Sequence, residues 1–452
     1  MNVLSSLFTG LNGGQISLES KATSFQPGQI LKGKVMKLFP NGIASLQVGS
    51  QRVVAQLEAS LDINYSYWFQ VQSGEGKVRL KVISKVTSDG GYSQEGNSIT
   101  QLMKELSISA KDVKEETMKF FLKERLPISK DLMLTIADWL KETKSLQGGH
   151  EAIKLVLQKR LPATKLTFQA ILALMDKDSL TYLIQNLSSH IQHEPLSVHG
   201  TKLANFLQTQ LSTEINMDVL IMEISKGLRE EKSPLLNLIS TSFPEDPTIT
   251  DVFKKLVMNI GYSYENDVLN YLEQSNGEWD KDLPLKPLLI EFLKETPSEP
   301  VKNIAEKLLH KITGIQLLGQ ELGPIQQQVI QIPLNLPNKT VDLTIQWNGR
   351  KSENNEIDPA YCRVILYLEL ENLQDTMIDI QVQNRIITIT VMNELERIRV
   401  LAEPFIPYLK EKLNSIHYTL SNVHFTDFSK AGNKQPSAIY NSSSYSGVDL
   451  RI

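Results

Sequence analysis

Three histidines lie close together in the sequence, His190, His193 and His199, spaced H-x2-H-x5-H in SSHIQHEPLSVHG. Imidazole nitrogens suit zinc, but a structural zinc site takes four ligands at defined spacing, and Glu194 is the only nearby carboxylate. A solvated loop explains the cluster more simply, so no metal is expected. The single cysteine, Cys362, lies among Tyr361, Val364 and Leu366. A lone cysteine in a strand is usually a small buried hydrophobe. As a nucleophile it would need a base, and only the fold could bring His417 or His424 to it. Gly-x-Ser-x-Gly, P-loop and dinucleotide-binding fingerprints are absent, and Gly10, Gly13 and Gly14 precede no helix that could hold a phosphate. Neither an enzyme nor a cofactor is expected.

A second kind of chemistry is electrostatic. Residues 25–86 hold eight basic side chains (Lys32, Lys34, Lys37, Arg52, Lys77, Arg79, Lys81 and Lys85) against Glu58, Asp62 and Glu75. The run ILKGKVMKLFPNGIASLQV is similar to the opening of RNA-binding barrels of the oligonucleotide-binding type. The stacking platform such barrels use is thin. Phe39, Tyr65, Tyr67, Trp68 and Phe69 mostly crowd near one strand, where core packing accounts for them. An RNA-binding adaptor is therefore the alternative function, and a solvated charged face its bland counterpart.

These residues sit in a chain of 452, which suggests about three domains at ~150 residues each. Apolar residues are 41% and charged residues 22%, close to the globular average, so several cores can form. The net charge of −4 gives no global case for nucleic acid or anionic membrane. One cysteine forms no internal disulfide, which fits a reducing compartment and a cytoplasmic protein. No apolar run approaches the ~20 residues of a transmembrane segment. The N-terminus, MNVLSSLFTGLNGG, has no Lys or Arg before Lys21 and lacks the charged start of a secretory signal. Residues 1–24, rich in Ser, Gly and Asn, are expected to be disordered, either as a frayed end or as an uncleaved export signal.

Residues 25–86 read as five short strands separated by turn residues such as Pro40-Asn41-Gly42, and predict a small closed β-barrel. Residues 87–97 read as a Gly- and Ser-rich linker. Residues 98–312 read as helical. Ser109, with Asp112 three residues on, is expected to cap a helix whose buried stripe is Val113, Met118, Phe121 and Leu122. An internal repeat follows: LKERLPISKDLMLTI at 122–136 aligns with LQKRLPATKLTFQAI at 157–171. The shared unit is an αα-hairpin with a Leu-Pro break and a hydroxyl cap, which needs a neighbour to bury its face. Phe292-Leu293-Lys294-Glu295 echoes it too weakly to count as a third copy. The period is close to that of tetratricopeptide repeats, but the Trp, Gly and Tyr pattern of that family is missing.

Residues 313–324 read as a second linker, 325–428 as a separately folding α+β domain, and 429–452 as a disordered tail. In the α+β domain Gln328–Leu334, Val341–Trp347, Tyr361–Leu370, Thr376–Gln383 and Arg385–Met392 are strand-like, and Asn348–Pro359 is a polar loop. Glu394–Ile416 is expected to form one helix, kinked at Pro404 and Pro407, with Leu395, Ile398, Leu401, Phe405, Leu409 and Leu413 on its buried face. Tyr418–Phe425 closes the domain as a strand. The predicted fold class is thus multidomain: an N-terminal β-barrel, an α-helical middle with αα-hairpin repeats, and a C-terminal α+β domain.

From VILYLELENLQ through SIHYTLSNVHF, residues 364–425 resemble the C-terminal domain of bacterial flagellar hook-length control proteins, in their divergent low-GC Gram-positive form. Leu366, Leu368 and Leu370 match the family's first strand and Leu373 its turn leucine. Ile378, Ile380 and Val382 match the alternating strand, Ile387 and Ile389 the next one. Arg399 lies near the start of the helix, and Leu409 and Leu413 match its packing face. The turn departs from the family, with Gln374 where it has glycine and without the proline before it. The resemblance implies a non-enzymatic regulator of flagellar assembly, exported through the flagellar type III apparatus. Its C-terminal domain would contact the cytoplasmic domain of an export-gate protein, and hook or hook-cap proteins are further partners it suggests. The expected contact surface is the turn, with Glu369, Glu371, Asn372, Leu373, Gln374 and Asp375; its acidic residues suit a basic partner.

Overall fold

A computed structural model of the chain describes residues 27–48, 51–59, 61–73, 78–86, 94–193, 197–209, 249–274, 283–319, 325–336, 339–351 and 357–428. The expected disordered ends at 1–24 and 429–452 lie outside these residues. The chain divides into two compact units between Leu172 and Ala173.

The first unit opens with a closed five-stranded barrel: β1 (Ile30–Phe39), β2 (Ile43–Val48), β3 (Gln51–Leu57), β4 (Ser66–Gln72) and β5 (Arg79–Lys85), in the order β1-β2-β3-β5-β4. Alternation drives Val35, Ala44, Leu46, Ala55, Phe69, Val71 and Leu80 inward and the lysines of β1 outward. The β1–β2 hairpin turns through Asn41 and Gly42, both left-handed, and a Cβ on Gly42 would lie 2.9 Å from the Leu57 carbonyl oxygen. Only glycine fits there.

Five helices follow: α1 (Gln94–Glu105), α2 (Glu115–Lys123), α3 (Lys130–Lys141), α4 (Leu146–Gln158) and α5 (Lys165–Met175). Helix α1 therefore begins inside the expected 87–97 linker. Ser109 does not cap α2. Its hydroxyl accepts from the Lys111 amide in a turn, and α2 starts at Glu115 after Lys114, with no side-chain cap. The Leu-Pro breaks do separate helices, and Ser129 and Thr164 accept from the backbone amides of Leu132 and Thr167. The first break is joined to the barrel. Gln29 and Pro127 form an isolated antiparallel bridge, the Ile128 backbone amide donates to the Gly28 carbonyl (2.9 Å), and Gln70 Nε2 donates to the Ile128 carbonyl (3.2 Å).

The second unit combines helices with one sheet. Among the described residues its helices before the sheet are α6 (Leu180–Ile191), α7 (Val198–Thr209), α8 (Ile249–Ile260), α9 (Tyr264–Gln274), α10 (Leu285–Lys294) and α11 (Glu299–Leu318). The expected linker at 313–324 is helical as far as Leu318, because Ile315 and Leu318 continue the buried stripe of α11. The sheet has the strands β6 (Ile325–Leu336), β7 (Lys339–Lys351), β8 (Ile357–Leu370), β9 (Gln374–Gln383), β10 (Ile386–Asn393) and β11 (Thr419–Thr426). Neighbours pair in the order β11-β10-β9-β8-β7-β6, antiparallel except for the parallel pair β10–β11. The β10–β11 crossover is the expected helix in three pieces: α12 (Ile398–Ala402), a 3-10 turn (Glu403–Phe405) holding Pro404, and α13 (Ile406–Ser415). Proline lacks the amide an unbroken helix would need. The break changes which residues face inward. Ile398 is buried and Leu409 and Leu413 pack on the sheet, whereas Leu401 and Phe405 are exposed.

Register explains why the C-terminal strands do not stand apart. Leu343 pairs with Leu368, Ile345 with Leu366, Leu366 with Ile378, Cys362 with Val382, and Val382 with Ile387, so one apolar face runs across the sheet. At the β6–β8 side this face packs into the core formed by α6, α7, α8, α10 and α11. At the β9–β11 side α13 covers it. The segment 325–428 thus shares its core with helices that precede it. Asp342 on β7 ties the layers together, accepting from the backbone amides of Leu180 (2.7 Å) and Thr181 (2.9 Å) at the start of α6.

Candidate functional site

The β8–β9 hairpin carries the residues singled out for partner binding. Leu370 pairs with Gln374, leaving Glu371, Asn372 and Leu373 as the loop. Glu369, Glu371, Asn372 and Gln374 are exposed, while Leu373 and Asp375 are half-buried. Gln374 is left-handed, with φ of 55°. A residue with a Cβ adopts this conformation at a cost of roughly 1–2 kcal/mol.

One side chain holds the loop closed. Asn393, buried at the end of β10, donates from Nδ2 to the carbonyls of Leu373 (2.6 Å) and Asp375 (3.1 Å) and to Thr376 Oγ1 (2.8 Å). Its Oδ1 accepts from the Leu395 amide (2.8 Å), so the same residue starts the path into α12. Burial, and then a hydrogen bond to the Asp375 carboxylate, push the Tyr367 hydroxyl far above its ordinary range. The acidic turn is therefore fixed before any partner arrives. Sequence reading found the loop residues and missed Asn393, whose partners lie some twenty positions upstream.

The barrel offers a different surface. Lys32, Lys34, Lys37, Arg52, Arg79 and Lys81 are exposed. Tyr67, Trp68 and Phe69 are buried, leaving Phe39 and Tyr65 as the exposed aromatics of the five named from sequence. Each has a lysine at its ring: Lys37 Nζ lies 5.2 Å from the Phe39 centroid, and Lys85 Nζ lies 3.4 Å from that of Tyr65. Lys85 also pairs with Asp62 at 2.9 Å. Both rings are thus occupied by the barrel's own cations.

The remaining candidates are dispersed. His190 Nδ1 lies 2.8 Å from its own helix carbonyl at Asn186, while His199 Nδ1 lies 2.7 Å from Glu295 Oε1 at the end of α10. Among the described residues no three His, Cys, Asp or Glu side chains converge as metal ligands. Cys362 is buried against Val382, Ile387, Ile389 and Leu420, and burial pushes its thiol up. Strand alternation puts His424 on the other face of the sheet, since Val423 pairs with Ile389 and His424 with Thr390. Among the described residues no helix is long and apolar enough to cross a membrane.

Comparison with known proteins adds two similarities. Residues 7–81 match the model of the TP0910 S1-like domain, in agreement with the closed five-stranded barrel. The chain is 23% identical to the uncharacterized protein YlqG of Bacillus subtilis (strain 168), over 88% of this chain and 89% of that protein. No solved structure matches. The N-terminal barrel of this chain is therefore S1-like, and its architecture as a whole is a barrel, a helical middle and a C-terminal sheet with helices.

Proposed function

We propose that this chain is a non-enzymatic regulator of flagellar assembly whose C-terminal sheet binds the cytoplasmic domain of an export-gate protein and switches the specificity of export. The observation that carries this reading is the order of elements β8, turn, β9, β10, helix and β11. It is the order the resemblance to hook-length control proteins calls for, with Leu366, Leu368, Ile378, Ile380, Val382, Ile387, Ile389, Leu409 and Leu413 all packed inside. The left-handed backbone at Gln374, where those proteins have glycine, supports the same alignment. The protein acts in the cytoplasm and is itself a substrate of the flagellar type III apparatus. Hook or hook-cap proteins are its further partners.

The test uses Leu373→Asp in the full chain, with circular dichroism and a pull-down against the export-gate cytoplasmic domain. Leu373 is only half-buried, so the variant stays folded and loses the partner. A folded variant that still binds removes the turn from the site. A deletion strain with normal hook length, flagellar number and motility removes the function.

The S1-like match and the basic balance of residues 25–86 favour a second reading, an RNA-binding adaptor. It calls for binding by the barrel at 25–86 that weakens steeply with salt, because counterion release drives it. No shift of single-stranded RNA at low salt eliminates this reading.

A further inference from the structure

The end of the sheet that carries the β8–β9 turn also carries an apolar ridge. Thr376 at the start of β9 pairs with Asn393 at the end of β10, and the chain passes from there into α12. The parallel crossover must carry α13 back from this end to the start of β11, where Thr419 pairs with Ile386. The segment 398–406 therefore lies at the turn end of the sheet. Ile398 and Ile406 meet the inward packing needs of this segment. Val400 (69% exposed), Leu401 (48%) and Phe405 (48%) point outward.

Acidic groups lie at the same end of the sheet. Glu369 and Glu371 on the turn, Glu394 and Glu396 on the connection, and Glu403 on the 3-10 turn are all exposed. Two exposed arginines stand against these five glutamates, Arg397 just before α12 and Arg399 within it, and Arg399 is engaged by Glu403 at 3.0 Å. Charge selects the occupant. Phosphates of nucleic acid or of an anionic membrane would be repelled, and an uncharged apolar segment would leave the carboxylates without counterions. Three large exposed apolar side chains with a rim of net negative charge are the pattern of an anchored protein contact.

We propose that Val400, Leu401 and Phe405, together with the acidic β8–β9 turn, form one docking surface for a basic amphipathic segment of a partner protein. Its apolar residues would cover the ridge and its Lys or Arg residues would face the glutamates. This rests on the reading of the C-terminal sheet as the partner-binding part of the chain and supplies the chemistry of the partner.

The experiment measures fluorescence anisotropy of a labelled amphipathic Leu/Lys peptide with the full chain, beside a Leu/Glu peptide of the same pattern and an all-Lys peptide. The Leu/Lys peptide binds, and the other two bind at least about tenfold more weakly. Because both side chains are exposed, a Val400→Ser/Phe405→Ser variant keeps its circular dichroism and weakens Leu/Lys binding at least about tenfold. Unchanged binding in that variant overturns the proposal. So does equal binding of the Leu/Glu peptide, or a wild-type dimer that the double variant dissociates, which would make the ridge a contact between copies. The export-gate pull-down separates the two readings. If the gate domain is not captured while the Leu/Lys peptide still requires Val400 and Phe405, the surface stands without the flagellar function. If capture of the gate domain is indifferent to the double variant, the function stands and the surface falls.

Discussion

Asn393 shows how one side chain can set the shape of a loop it does not belong to. Its amide donates to two carbonyls of the turn and to the Thr376 hydroxyl. Replacing it with alanine removes these hydrogen bonds from a buried position, and Asn393→Ala is expected to lose about 2 kcal/mol in urea unfolding. Glu295 sets a pH dependence. Hydrogen bonds from Ser197 and His199 hold its carboxyl below its ordinary value of 4.5. With the folded value below the unfolded one, its contribution is full above the unfolded value and is lost as pH falls through the folded one. The difference in unfolding midpoint between wild type and Glu295→Gln should therefore shrink as pH falls below the ordinary value of 4.5. The sequence shows His199 in a cluster of histidines, yet its partner comes from a helix that starts some ninety residues later. Type and spacing along the chain carry no record of such a pairing.

At the scale of elements, the repeat is better defined in space than in sequence. Helices α1, α2 and α4 all end alike. Ser107, Arg125 and Arg160 are left-handed, and the amides of Ile108, Leu126 and Leu161 reach back to the carbonyls of Met103, Phe121 and Val156. In each case the apolar residue after the left-handed one is buried. This is the Schellman ending, made without the usual glycine. The echo at Phe292-Leu293-Lys294-Glu295 also leads into a left-handed residue, Thr296, so a fragment too short to count as a third copy shares the backbone signature. Glycine adopts this backbone without strain, so Arg160→Gly should stabilise the chain by about 1 kcal/mol, less the entropy glycine adds to the unfolded state. Thermal unfolding of the two proteins reads this directly. The barrel strands, the Leu-Pro breaks and the C-terminal strands were legible because alternation, proline and hydroxyl caps are local signals. The start of α2 was not, because Ser109 can close a turn as readily as it can cap a helix.

For the whole molecule, the division at Leu172 separates charge as well as structure. Residues 17–172 hold 22 Lys and Arg against 15 Asp and Glu, and the rest of the chain holds 25 against 36. The overall −4 conceals a basic part and an acidic part, which suit partners of opposite sign. One hydrophobic core also crosses the expected start of the C-terminal domain. Composition shifts near Pro324, but Ile332 and Leu343 are buried, and Leu334 and Leu366 half-buried, in a core shared with helices on the other side of that shift. Texture along a sequence marks a change of secondary structure, which need not be the edge of a core. A fragment of residues 325–428 should therefore aggregate on expression, its β6–β8 face uncovered, whereas 173–428 should be soluble and unfold in one transition. A soluble, cooperatively folded 325–428 would contradict this.

The join between the barrel and the first Leu-Pro break has a consequence for how the barrel moves. A small barrel on a flexible tether would rotate by itself in solution and sample many orientations. Here the Gln29–Pro127 bridge and the hydrogen bonds from Ile128 and Gln70 fasten it to the helix pair that follows. Its basic strands and the α2–α3 hairpin should then share one rotational correlation time, with NMR relaxation unable to tell barrel amides from helix amides. Anything gripped by the barrel would be presented at a fixed orientation to the helices behind it, so the barrel would serve as a rigid jaw of a larger tool.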